Sequence, residues 1–304
     1  MKITAPKNTS QRTDGMVMGG IGILCFSFTL PATRLADPLL GGTFVGLGRA
    51  LVAAVLAILV LSIRHEPLPE RRYWLRLALV ALGVIVGFPL FSAIALQSLP
   101  ASHGAVVTGL LPATTAILAV IRGGERPSKL FWISCAVGTV AVLLFAFSQG
   151  AGHLQTADLL LLAAVLTGGI GYVEGGLLAR EMGGWRVISW ALILAAPFLI
   201  VPVVLSFHLN GSVNQPAAWL GFAYVSVVSM FLGFFAWYQG LARGGVARIG
   251  QLQLVQPVLT LLWAHLILGE QITAVTLVAA LLVVASVAVG QWTRRPRITQ
   301  KPHK

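Results

Sequence analysis

The stretch GLLPATTAILAVIRGGE at residues 109–125 has a counterpart in QPVLTLLWAHLILGE at residues 256–270. Both stretches are apolar, contain one proline and end in Gly-Glu, and the step from proline to glutamate is the same in each (112 to 125 and 257 to 270). Gln97 precedes the first stretch and Gln239 precedes the second. A chain that repeats a proline-interrupted apolar segment in both halves is typical of membrane proteins built from two repeats.

The composition excludes a soluble domain. Only 10% of the 304 residues are charged, whereas soluble domains carry about 25%. The apolar runs are long and separated by short polar connections, so they predict helices rather than barrel strands. We therefore predict an all-α integral membrane protein with ten transmembrane helices. The predicted spans are 16–33, 42–63, 74–97, 103–121, 130–148, 157–179, 187–206, 217–239, 246–268 and 272–292.

Five spans in each half are an odd number, so the second half must enter the membrane from the opposite side. The sequence thus predicts two inverted five-helix repeats around a central cavity. The predicted divisions are a cytoplasmic tail 1–15, a first repeat 16–148, a periplasmic linker 149–156, a second repeat 157–292 and a basic cytoplasmic tail 293–304. Four glycine pairs with GxxxG spacing predict close helix contacts within the fold: Gly15/Gly19, Gly42/Gly46, Gly83/Gly87 and Gly171/Gly175.

The net charge of +12 is distributed as in a membrane protein rather than a nucleic-acid-binding one. With both termini placed inside, all of the 21 basic residues except Arg34 and Arg49 fall on the cytoplasmic side. This asymmetry is the positive-inside signal, and it predicts a multi-pass protein of a bacterial-type inner (plasma) membrane with both termini in the cytoplasm. The basic tail is expected to contact anionic membrane lipids. We expect no nucleic-acid partner.

On these residues, the chain resembles the ten-helix EamA-type branch of the drug/metabolite transporter (DMT) superfamily. The resemblance covers about residues 16–292 and rests on Gly109-Leu110-Leu111-Pro112 through Gly124-Glu125, on Gln256-Pro257 through Gly269-Glu270, and on Arg49 in the second span. It implies a secondary transporter that exports small organic metabolites, with amino acids, including aromatic ones, as the first expectation. The second half departs from the first because it has no arginine at the place corresponding to Arg49, where Trp190 lies nearby.

The paired helix breaks supply one set of candidate cavity residues. Pro112 and Pro257 lie near the middle of their spans, where a proline frees a backbone carbonyl that must face protein or a water-filled cavity. Simple packing kinks are the alternative. Gln253 and Gln256 share a helix face with Pro257 and suit an amino-acid backbone, although they could equally hydrogen-bond between helices. Thr108 and Thr115 are weaker candidates because threonine can bond its own helix.

Charged and aromatic residues supply the other set. Arg49 lies in the outer third of its span, where a charge must face a cavity, carbonyls or an acid. Glu174 is the only acidic residue that the predicted spans place well inside the membrane. It is the candidate for proton coupling or cation recognition, and a structural glutamate contacting the cytoplasmic basic residues is the alternative. Tyr172 and Trp190 could stack on a substrate or anchor at the interface. Glu125 and Glu270 are expected to be solvated, and His103 to lie near the outer surface.

These patterns favour a carrier that moves a small-molecule substrate by alternating access. No ATP-binding P-loop is present, and we expect no cofactor, no metal and no enzyme activity. An exporter of cationic drugs or other metabolites, proton-coupled through Glu174, is the rival within transport. A membrane-embedded enzyme is disfavoured because His65-Glu66 lacks the second histidine of a metalloprotease motif and the intramembrane polar residues are mostly amides. The sequence leaves the substrate, the coupling ion and the oligomeric state open.

Overall fold

The computed structural model describes residues 9–123, 129–149, 154–209, 214–244 and 249–293. This part of the chain forms ten helical spans, which confirms the predicted all-α membrane class. Seven spans are long and apolar enough to cross a membrane, and the other three contain shorter apolar helices. The spans are α1 (Thr9–Ser27 and Thr29–Leu40), α2 (Gly42–Ile63), α3 (Arg71–Leu96), α4 (Ala101–Thr108 and Leu111–Gly123), α5 (Lys129–Gln149), α6 (Thr156–Met182), α7 (Gly184–Ser206), α8 (Pro216–Gly244), α9 (Gly250–Val255 and Gln256–Leu268) and α10 (Ala274–Thr293).

Helices from the two halves pair across the molecule. α1 packs along α8 and α3 along α6, while α2 packs against α7, α4 against α9 and α5 against α10. When the first five helices are exchanged for the last five, each of these pairs maps onto a pair of the same set. The packing therefore has the pseudo-two-fold relationship expected of inverted repeats.

Irregular helix segments recur at matched positions in the two repeats. The third helix of each repeat contains π-helical turns, Ala81–Gly87 in α3 and Tyr224–Gly233 in α8. The fourth helix of each repeat is interrupted just before its proline, and a new α-helical segment begins at Leu111 in α4 and at Gln256 in α9. Pro112 and Pro257 each occupy the second position of the new segment, where a missing N–H loses no hydrogen bond. The prolines mark helix starts instead of kinking a continuous helix.

The first span extends further than the sequence predicts. We predicted an end at residue 33, but α1 is interrupted at Phe28 and a second segment continues to Leu40. Pro31 lies in the first turn of that segment, where proline is tolerated. The interruption is bonded by α9, because the Thr260 hydroxyl donates to the Ser27 carbonyl at 2.8 Å. The extension places Asp37 within the helix instead of in a loop.

Glycines bring α1 and α8 together at the end of the bundle where α1 begins and α10 ends. We call this the terminal end and the opposite one the far end. A Cβ added to Gly15 would lie 2.5 Å from the backbone nitrogen of Gly244, and one added to Gly240 would lie 2.6 Å from that of Gly19. The predicted close contact at the Gly15/Gly19 pair is confirmed. These helices touch backbone to backbone, so the terminal end is closed between them.

Candidate functional site

A small cavity lies at the centre of the helix bundle. Its volume of about 20 Å³ is room for a single water molecule. Six helices contribute to its wall: α1, α2, α3, α6, α8 and α9. The lining residues are Phe26, Thr29, Leu30, Arg49, Val84, Phe88, Pro89, Tyr172, Met230, Phe234 and Gln256. Both π-helical regions reach this wall, through Val84 in α3 and Met230 in α8, and such segments are frequent at functional sites.

A larger cavity, which we call the vestibule, lies at the far end. Its volume is about 670 Å³, which is the size of a small-molecule site. It is formed by the far ends of α1, α3, α4 and α9. The lining residues are Arg34, Asp37, Pro38, Gln97, Pro100, Leu268 and Glu270. The far end is therefore open to a polar, charged vestibule, whereas the central cavity behind it is almost closed.

A buried cation and a buried anion lie between these two cavities. Arg49 of α2 is only 1% exposed and lines the central cavity, and its Nε has no hydrogen-bond partner within the described chain. Asp37 of α1 is 4% exposed and lines the vestibule, and neither of its carboxylate oxygens is bonded to a described residue. Asp37 interacts electrostatically with Arg34, which lines the same vestibule, and also with Arg49. Asp37 forms an ion pair with neither arginine.

Aromatic rings pack around the central cavity beside Arg49. The ring of Phe26 lies 4.8 Å from that of Phe234 and 6.1 Å from that of Tyr172, and Tyr172 lies 5.5 Å from Trp237. Trp237 is fully buried and therefore is not an interfacial anchor. Tyr172, which we predicted from sequence, thus lines the cavity as part of an aromatic cluster from α1, α6 and α8.

The amides of α9 lie at two different places. Gln256 reaches the wall of the central cavity. Gln253 is 2% exposed, lines neither cavity, and both polar atoms of its amide lack partners within the described chain. An unsatisfied buried amide costs about 1–3 kcal/mol for each group left unbonded. Pro257 packs near Gly109 of α4, where a Cβ would meet its Cγ at 3.4 Å.

Four further candidates lie away from both cavities. The hydroxyls of Thr108 and Thr115 each donate to the carbonyl four residues earlier, at 2.8 Å, so both side chains bond their own helix. Pro112 is buried within α4. Trp190 is partly buried against the apolar core. The structure therefore brings Arg49, Tyr172 and Gln256 together at the central cavity and does not bring these four to it.

Glu174 is bonded to two arginines near the terminal end. Its carboxylate accepts from Arg76 at 3.2 Å and pairs with Arg122 at 2.5 Å, and Arg76 also pairs with Glu181 at 2.8 Å. These ion pairs tie α3, α4 and α6 together. They match the structural alternative for Glu174, and its role in coupling stays a prediction. Asp37 and Asp158 are buried as well, Asp158 in the first turn of α6 and Asp37 near the end of α1, so burial does not set Glu174 apart from them.

Two residues that the sequence predicted to lie at the outer surface make contacts within the bundle. His103 is 4% exposed, and its Nε2 lies 2.7 Å from the Asp158 carboxylate, so α4 and α6 bury it as a pair. Glu270 accepts hydrogen bonds from the backbone N–H groups of Ala101 and Ser102, both at 2.8 Å. It caps the start of α4 and, half-buried, also lines the vestibule. Its counterpart Glu125 lies outside the described residues.

Asp37 is the functional candidate that sequence reasoning missed. The residues around it, Leu35, Ala36, Leu39 and Leu40, are apolar and continue the helix beyond the predicted end. A span extended to residue 40 would have placed a carboxylate inside the membrane, which is a functional signal in itself. No group of three His, Cys, Asp or Glu side chains within the described residues is placed to hold a metal ion.

Two five-helix repeats that enclose a charged central cavity define a membrane transporter. Comparison with known proteins agrees with this class: the EamA-like transporter family matches the chain twice, at residues 13–147 and 155–289. The chain belongs to this family.

Named relatives and a solved structure extend the comparison. The chain is 44% identical over 288 residues to a Bacillus subtilis protein named "Uncharacterized transporter YdeK", covering 93% of this chain and 98% of that one. It is 27% identical to a "Probable terminal-alkyne amino-acid exporter" of Streptantibioticus cattleyicolor, over 87% of this chain and 89% of the relative. A crystal structure 18% identical in sequence superposes with a TM-score of 0.66 over 93% of this chain and 99% of that one, which supports the fold.

Proposed function

We propose that the protein exports amino acids across a bacterial inner membrane by alternating access. The observation that carries the proposal is Arg49, whose guanidinium Nε has no hydrogen-bond partner within the described chain and which lies at the wall of an aromatic central cavity. A guanidinium binds a carboxylate through two parallel hydrogen bonds, and the rings of Phe26, Tyr172 and Phe234 offer an apolar surface for a side chain. The name of the Streptantibioticus relative supports the same substrate class.

The two ends of the bundle support the alternating-access part of the proposal. The vestibule is open at the far end, while α1–α8 glycine contacts and the Glu174 ion pairs close the terminal end. By the positive-inside rule the terminal end carries the basic loops and faces the cytoplasm. The arrangement then corresponds to an outward-facing state. An inverted repeat supplies a second, inward-facing state of related geometry.

The rival function, proton-coupled export of cations through Glu174, has less support from the geometry. Both oxygens of that carboxylate are engaged by arginines, Arg76 on one and Arg122 on the other. A cation substrate would have to displace at least one of these ion pairs. The residue also lies outside the wall of the central cavity.

Counterflow in proteoliposomes tests the proposal. Vesicles are loaded in turn with each of the twenty common amino acids, a nucleoside and a cationic dye, and uptake of the labelled compound is followed with and without a pH gradient. We expect counterflow of at least one amino acid and none of the dye. Glu174→Gln should leave this preference unchanged. Dye transport that is driven by the pH gradient and abolished by Glu174→Gln would establish the rival function, and folded protein that moves no amino acid would refute ours.

A further inference from the structure

The carboxylate of Asp37 differs from every other acidic group in the described chain. Of the nine acidic residues in the sequence, Glu125 lies outside the described part and seven of the remaining eight form an ion pair or a hydrogen bond. Those seven are Asp14, Glu66, Glu70, Asp158, Glu174, Glu181 and Glu270. Asp37 alone among these eight has neither, although it is one of the most buried. A buried carboxylate that the fold leaves unbonded points to a ligand supplied from outside the chain.

Asp37 also lies at the end of a polar stripe on α1. Thr29, Thr33 and Asp37 are spaced four residues apart, so their side chains share one face of the helix. Thr29 lines the central cavity and Asp37 lines the vestibule. Thr33, between them, is 1% exposed, and its hydroxyl has no partner within the described chain. At about 1.5 Å per residue the stripe spans about 12 Å, from a residue that lines the central cavity to one that lines the vestibule.

The oppositely charged residue is Arg49, which lines the central cavity. Arg34 also acts electrostatically on Asp37 and lines the vestibule, but its guanidinium donates to the backbone carbonyls of Leu96 and Gln97. Arg49 of α2 is buried, its Nε has no partner within the described chain, and it interacts electrostatically with Asp37 without forming an ion pair. A structural ion pair would be expected to close, since a buried charge without a partner is unfavourable. An open pair instead leaves each group available to a separate charge on a ligand.

We propose that Asp37 and Arg49 together form the head-group site for an α-amino acid, with Asp37 binding the ammonium group and Arg49 binding the carboxylate. This inference rests on the proposed function and assigns the ammonium site, which that proposal leaves open. The Thr33 hydroxyl supplies an additional acceptor for the ammonium, one turn from Asp37. The side chain of the substrate then extends towards Phe26, Tyr172 and Phe234.

The charge balance of the site explains how it selects a zwitterion. A ligand that carries one positive and one negative charge neutralises both buried groups at once. A simple amine leaves Arg49 unbonded, and a simple carboxylate leaves Asp37 unbonded, so either ligand keeps one buried charge without a partner. The site therefore discriminates against amines and carboxylates of the same shape.

Competition in the counterflow assay tests this assignment. The labelled substrate is L-phenylalanine or L-leucine, or whichever amino acid of the panel the wild-type protein moves best. The competitors are its deaminated analogue (3-phenylpropanoate for phenylalanine) and its decarboxylated analogue (phenethylamine for phenylalanine). For the wild type we expect each analogue to inhibit at least tenfold less well than the unlabelled amino acid.

Two substitutions should change this preference in opposite directions. In Asp37→Asn the deaminated analogue should compete as well as the amino acid, and in Arg49→Gln the decarboxylated analogue should do so. Asp14→Asn is the matched control on α1, because Asp14 is exposed and pairs only at 3.7 Å with Arg243; it should retain the wild-type preference. If Asp37→Asn does not fold, Asp37→Glu retains the charge and should weaken amino-acid binding while still excluding the deaminated analogue.

The outcomes separate this inference from the proposed function. The head-group site is refuted if the wild type shows amino-acid counterflow but the variants either lower the inhibition by all three ligands equally or leave the preference unchanged. Amino-acid export would still stand in that case. Absence of counterflow for every amino acid by folded wild-type protein refutes both.

Discussion

Closure of the terminal end should depend on the absence of a single Cβ at Gly240. A Cβ there would lie 2.6 Å from the backbone nitrogen of Gly19, whereas ordinary contacts begin at 3.4 Å, so α1 and α8 would have to separate by about 0.8 Å. The contact is to backbone, and no flexible side chain can move aside. Overpacking of this kind costs about 1–3 kcal/mol. Because that strain disappears when the terminal end opens, Gly240→Ala should shift the closed–open equilibrium towards the open state by about 5- to 150-fold.

The open state can be measured by thiol labelling. Ile23 is 3% exposed and lies one turn from Gly19 on the same face of α1, so Ile23→Cys, in a protein whose native Cys25 and Cys135 are replaced by serine, reports exposure of the α1–α8 contact. The rate of reaction with a membrane-impermeant maleimide should rise in Gly240→Ala by the factor above. Gly20→Ala is the matched control because a Cβ there has nothing within 4 Å, and it should leave the rate unchanged.

General loosening of the bundle would give a different pattern. Leu39, at the far end of α1, is fully buried, and Leu39→Cys should react no faster in Gly240→Ala if only the terminal end opens. Equal rates for Gly240→Ala and Gly20→Ala at the Ile23 probe, or equal acceleration at both probes, would refute the reasoning that this glycine contact acts as a gate.

Three further changes test contacts that hold the helices in place. Glu270→Ala removes the acceptor for two N–H groups at the start of α4 and should lower the stability in detergent by about 1 kcal/mol, measured as a lower Tm than that of the exposed control Glu70→Ala. His103→Ala leaves Asp158 buried without its ring partner and should cost about 3 kcal/mol, whereas His265→Ala, at an exposed site, should have little effect on Tm. The two hydrogen bonds from Arg186 hold the pKa of Glu66 below its usual 4.5. The stability that they contribute is therefore fully present above pH 4.5 and is lost as the pH falls through the folded-state pKa. The Tm difference between wild type and Glu66→Gln should narrow below pH 4.5, and a Tm difference that grows there would contradict this expectation.

The spans could be predicted from sequence because the hydrocarbon core of the bilayer restricts the backbone conformations that a chain can adopt within it. Almost every backbone group in the bilayer core must be bonded within the protein, and a helix does this within one segment. A long apolar run therefore predicts a helix without knowledge of its neighbours. The error at the first span has a local cause. The predicted span ends at residue 33, whereas the structure begins a new helical segment at Thr29, accommodates Pro31 in its first turn and continues to Leu40.

The candidate site could be predicted only in part, because a side chain's partners are a tertiary property. Arg49 was identifiable from its place inside an apolar span. Glu174 had the same signal, but its partners Arg76 and Arg122 come from two other helices, far away in sequence. Asp37 stands out only by having no such partner. Sequence reasoning found Arg49 and Glu174 but missed Asp37, and it could not tell which of these charges the fold leaves unbonded.

The two repeats have the same arrangement of helices, but their charged residues lie at different positions. This difference affects how the carrier would bind its substrate. Asp37 and Arg49 both belong to the first repeat, and the place corresponding to Arg49 in the second lies near Trp190. The second repeat contributes Tyr172, Phe234 and Gln256 to the same cavity. A head group bound by the first repeat alone would not pass between repeats as they rock against each other. Its charges would then stay bonded throughout the cycle, so head-group selectivity should follow the first repeat, whereas side-chain preference should depend on both repeats, through Phe26 of the first and Tyr172 and Phe234 of the second.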